Sequence, residues 1–126
     1  MQVALIPADP AEMITFRDVK DGDDLAGELS ALVGGDFQAL PISNYAMTMY
    51  RHYNAKAEAL PVNHRATVLA NWAEVVHAAD TISGDVVLTG PSAVDGTDLP
   101  IVDTHKWWLI RFDNQQTELA GLGVGD

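Results

Sequence analysis

A chain of 126 residues, 48% apolar and 20% charged, is long enough for one packed core and too short for two. Its net charge of −11 argues against a nucleic-acid partner and against an anionic membrane surface, because both need clustered Lys and Arg. The absence of cysteine excludes disulfides, thiolate nucleophiles and thiolate-bound zinc.

"QVALIPA" and "MITFRDV" read as short strands, the second with Ile14 and Phe16 alternating against Thr15 and Arg17. "DPAE" between them supplies a turn, so a hairpin is expected. "DGDDLAGELSALVGG" reads as a helix. Asp23 or Asp24 would cap its first amides, Leu25, Leu29, Leu32 and Val33 form one apolar stripe, and Gly34 and Gly35 end it. The "DGDD" acids lack the spacing of a calcium loop. "DFQALPI" and "YAMTMYRHY" read as a second antiparallel pair over 36–42 and 45–52, and "NAKAEALP" as a loop.

In "LPVNHRATVLANW", Pro61 disfavours helix at Leu60 and Asn63 is a good cap. Ala66, Leu69, Ala70 and Ala73 then recur at helical spacing, and the helix either runs on through "AEVVHAA" or gives way to strand near Val75. "GDVVLTG" is a buried strand bounded by glycines, and "PSAVDGTDLP" is a loop. "IVDTHKWWLIRF" fits both periods, with helix preferred, and the tail "NQQTELAGLGVGD" is expected to fray. The pattern predicts a single α+β domain over 1–126: a small antiparallel or mixed sheet of four to five strands against two to three helices. No apolar run approaches membrane-spanning length, and the N-terminus does not read as a signal peptide.

The order "LVGGDFQALPI", "ALPVNHRAT", "SGDVVLTGP" resembles a family of small uncharacterised bacteriophage and plasmid proteins. Its members carry a short hairpin and helix, a Leu-Pro-x-Asn-x-Arg-Ala segment and a strand between glycines. Here those elements are Leu60, Pro61, Asn63, Arg65 and Ala66, then Gly84 to Gly90. The likeness covers residues 1–91, and the segment 92–126 departs from it. The family is a domain of unknown function. The resemblance therefore implies no activity, only a mobile-element origin and a host-cytoplasmic setting.

Asn63, His64 and Arg65 at a helix start are candidates for an anion or small-ligand site, with Arg65 as the charge and His64 as a group that titrates near neutrality. The competing reading is a cap at Asn63, a local ion pair from Arg65 to an acid such as Glu58, and an exposed His64. No histidine pair has zinc-site spacing among His52, His64, His77 and His105, and none of Ser30, Ser43, Ser83 and Ser92 sits in a nucleophile elbow. No catalytic residue, metal site or cofactor is therefore assigned. Arg51, Lys56 and Arg65 make 42–65 locally basic, whereas eight acids lie between Asp9 and Asp36.

Trp107 and Trp108 are adjacent and cannot both point into one core, so one is expected at the surface as a contact. The preferred reading is a non-enzymatic protein that binds a host protein through an acidic face (Asp18, Asp21, Asp23, Asp24, Glu28) and the Trp107–Trp108 region. One version is inhibition of a nucleic-acid-binding host protein by carboxylates that imitate a phosphate ladder. The alternatives are a ligand or catalytic site at Asn63, His64 and Arg65, and a homodimer or structural assembly through the Trp pair.

Overall fold

The computed structural model describes residues 1–20, 22–76, 80–93 and 97–124, without the side chains of Asp23 and of residues 119–124. Two hairpins form where alternation predicts them. Gln2–Ile6 (β1) pairs antiparallel with Thr15–Asp18 (β2), and Phe37–Ile42 (β3) with Met47–His52 (β4). The second hairpin turns through a 3-10 turn at Ser43–Tyr45, closed by Ala46 in the left-handed region.

The strand Val86–Thr89 (β5), buried at every position, enters between the hairpins and runs antiparallel to both β1 and β4. The sheet order is β2-β1-β5-β4-β3. A strand with neighbours on both edges and cover on both faces has no solvated side, which is why "VVLT" shows no alternation. Pro41, which lacks an N–H, is tolerated because β3 is an edge strand.

Helices cover both faces. Ala4, Ile6, Leu40, Ile42, Met47, Met49, Val86 and Leu88 pack with Ala66, Leu69 and Ala70 of His64–Trp72 (α2) and with Leu109 and Phe112 of Asp103–Val124 (α3). Val3, Leu5, Tyr50 and Val87 pack on the other side against Leu29 and Val33 of Leu25–Val33 (α1). The described residues form five strands and three helices, the α+β fold expected, here with helices on both faces of the sheet. No described helix is long and apolar enough to cross a membrane.

Four local expectations are corrected or resolved. Asp24 is the residue before α1, but it lies in the right-handed helical region after a 3-10 turn at Gly22–Asp24 and makes no side-chain cap bond. A capping side chain normally needs an extended backbone to fold back on the first amides. α2 stops at Trp72, where Ala73 caps it and Glu74 turns left-handed (φ 58°). The ambiguous segment is helix, with Leu109 and Phe112 inward and Trp107 and Ile110 outward. The segment from Asn114 is helical where described: α3 continues to Val124, because a turn anchored by Leu109 and Phe112 propagates more cheaply than a new one nucleates.

Leu109→Ala should cost about 2–5 kcal/mol in urea unfolding. Ile110→Ala, at an exposed position one residue on, should stay within about 0.5 kcal/mol. Equal losses would contradict this orientation of α3.

Candidate functional site

The Asn63–His64–Arg65 motif divides by direction. Asn63 is fully buried at the start of α2. Its Oδ1 accepts from the Ala66 N–H (3.0 Å), and its Nδ2 donates to the carbonyls of Ile6 (2.9 Å) and Gly84 (3.0 Å). It therefore caps the helix and ties it to the ends of β1 and of the β5 approach.

Arg65 is buried beside Asp113 of α3. Nη1 reaches Asp113 Oδ1 at 2.9 Å, and Nη2 donates to the carbonyls of Pro7 (2.7 Å) and Asp9 (3.0 Å). The other Asp113 oxygen accepts from the Ile14 N–H (3.0 Å). His64 between them is exposed. The arrangement is an internal clamp, and it does not bring the three side chains together around a common space.

Glu58, the local partner expected for Arg65, instead meets His52 (Nε2 to Oε2, 2.6 Å). The other His52 nitrogen, Nδ1, accepts from the Asn54 N–H (2.9 Å), which places the proton on Nε2. Both ring nitrogens are thus occupied, and this buried histidine holds the 52–58 turn. Gly35 packs against the same ring; a Cβ there would lie 2.6 Å from Nε2. Of the other basic residues in the window, Lys56 pairs with Asp80 (3.1 Å), and Arg51 donates twice to Gln38 Oε1.

The expected acidic face is only partly placed. Asp18 binds the N-terminal ammonium of Met1 (3.0 Å), and that bond, followed by the charge itself, holds its carboxyl below the usual range. Asp24 is exposed and Glu28 half-buried on α1. Asp21 and the side chain of Asp23 lie outside the described residues. Because α1 covers one face of the sheet and α3 the other, Glu28 lies across the sheet from the Trp107–Trp108 region.

The aromatic residues do assemble. Tyr45, Trp108, Phe112 and Trp72 form a run of rings with centroids 4.8, 5.4 and 5.5 Å apart. Trp107 stands outside that run, 58% exposed, with the Arg111 guanidinium 4.6 Å above its ring. Between the last turn of α2 and α3 lies a hollow of about 610 Å³, walled by Trp72, Trp107, Trp108, Arg111, Phe112 and Glu118. Adjacency alone pointed to Trp107 and Trp108. Trp72 and Tyr45 carried no such signal, because they arrive from other elements.

A second hollow, about 410 Å³, opens on the α1 side. Tyr50 lines it and donates its hydroxyl to Asp98 Oδ2. Burial first, then the Asp98 carboxylate, push the Tyr50 phenol well above its ordinary value. Among the described residues, no three His, Asp or Glu side chains converge on a point that would hold a metal ion.

Compared with family models, with curated proteins and with solved structures, the chain matches none.

Arg65→Ala should lose about 3–5 kcal/mol of unfolding free energy, since it leaves Asp113 buried and unpaired. His64→Ala should stay within about 0.5 kcal/mol; a thermally neutral Arg65→Ala would refute the clamp. Tyr50 is favoured as the neutral phenol in the fold, so its contribution is complete below the ordinary tyrosine value of about 10 and is lost as pH rises above it. Melting temperatures across that range should fall further for the wild type than for Tyr50→Phe, and parallel curves would contradict the shift.

Proposed function

We propose that this chain is a non-enzymatic binding protein that engages a partner protein through the aromatic face of α2 and α3. The observation that carries the reading is the exposed Trp107 under Arg111, beside a hollow whose other wall is the 43% exposed Trp72. Trp and Arg are the side chains most often found to dominate protein–protein binding energy. A groove between two helices suits an amphipathic helix of the partner, which would lay its apolar side against these rings.

The polar groups that first suggested chemistry support this reading indirectly. Asn63 and Arg65 are committed to internal hydrogen bonds, and His64 is exposed apart from them. A host protein as partner, in a mobile-element setting, follows only from the resemblance of residues 1–91. The phosphate-imitating version has less support, since Asp18 of that acidic face already pairs with the N-terminal ammonium.

The test compares wild type, Trp107→Ala and the double variant Asp24→Asn/Glu28→Gln as bait in host extract, at low and high ionic strength. The aromatic face predicts a bound protein that survives high salt, is lost with Trp107→Ala and is kept by the double variant. Binding that vanishes at high salt and with the double variant, yet ignores Trp107→Ala, would assign the contact to the acids of α1 instead.

A further inference from the structure

The cleft on the α1 side of the sheet is separate from the aromatic face, and its chemistry is different. Leu25, Leu29 and Pro100 give it hydrocarbon walls. Two rings stand in it, Phe37 and Tyr50, nearly perpendicular at 84° with centroids 5.3 Å apart. Asp98 is the one carboxylate among its described lining residues. Its volume of about 410 Å³ falls within the range of small-molecule sites.

We infer that this cleft binds a small organic cation, a tertiary or quaternary ammonium on an apolar body. A carboxylate in a hydrocarbon wall selects positive charge, and the Phe37 and Tyr50 rings that line the cleft add aromatic surface for a weakly hydrated cation. The Tyr50 hydroxyl is already spent on Asp98 Oδ2, which fixes the carboxylate's orientation and leaves its Oδ1 without a partner among the described residues. A primary ammonium would carry three N–H donors into a mostly apolar wall and leave donors unsatisfied. A tertiary ammonium brings one donor, which Oδ1 accepts, and a quaternary ammonium brings none.

Among the described lining residues the other charged group is the Met1 ammonium, which is held by Asp18 Oδ1 at 3.0 Å and the Val19 carbonyl at 2.8 Å. That pairing offsets its repulsion of a bound cation. The net charge of −11 adds a long-range attraction for cations.

Calorimetric titration of the full chain with benzyltrimethylammonium, and with its uncharged carbon isostere neopentylbenzene, tests the inference. The cation should bind about tenfold tighter than the isostere. Asp98→Asn should reduce that preference, leaving only the part the rings supply. Phe37→Leu, which retains apolar volume without the π face, should weaken the cation while sparing the isostere. Equal affinity for the two probes, no binding of the cation, or an unchanged preference in a folded Asp98→Asn variant would each overturn the inference. Far-ultraviolet circular dichroism of each variant separates loss of binding from loss of fold.

Discussion

The arrangement of this protein depends on one buried ion pair. Arg65 sits in the first turn of α2 and Asp113 in the middle of α3. Through the carbonyls of Pro7 and Asp9 and the amide of Ile14, the pair also holds both ends of the loop between β1 and β2. Removing two charges from water costs several kcal/mol per ion before their attraction returns it, so the pair is weak evidence for net stability. What it supplies is position, because only one docking of α3 brings Asp113 to Arg65 while Leu109 and Phe112 enter the core. Asn63 does the same at shorter range, joining α2 to β1 and to Gly84 through one amide side chain.

This explains why the Asn-His-Arg motif looked like a ligand site. Buried polar side chains at a helix start have the composition of an anion pocket, and the difference lies in what they face. Here they face backbone carbonyls and a carboxylate of the same chain. Sequence shows the residue types and the helix start, but not that Arg65's partner is in the last helix, 48 residues away. Spacing alone favours a local acid such as Glu58, yet Glu58 is held by His52.

The same distinction between local and distant explains the rest of what was legible. Both hairpins, α1 with its glycine stop and the buried strand β5 follow from alternation, helical spacing and turn residues within short windows. The place of β5 between β1 and β4 does not, because no local pattern states which edges a buried strand will join. The last helix was ambiguous because Trp-Trp-Leu-Ile-Arg-Phe satisfies both periods. The segment forms α3, where Trp108 stacks on Phe112 one turn away at an interplanar angle of 10° and Phe112 meets Trp72 of α2 edge-on. Of the aromatic face, only the Trp pair was visible in advance, since Tyr45 and Trp72 join it through folding.

A net charge of −11 suggests an acidic contact surface, but the geometry distributes that charge differently. Several carboxylates bond within the chain: buried Asp113 to Arg65, half-buried Asp98 to Tyr50, and exposed Asp85 to the Ala8 amide. The sheet then separates what remains. Acids and an apolar cleft lie with α1, and exposed tryptophans lie with α3. A partner of ordinary interface size covers about 800 Å² of one molecule. It would therefore meet one of these chemistries and not both. Salt sensitivity and aromatic substitution report on opposite faces of the same sheet, so each face can be altered while the buried clamp that positions both is left intact.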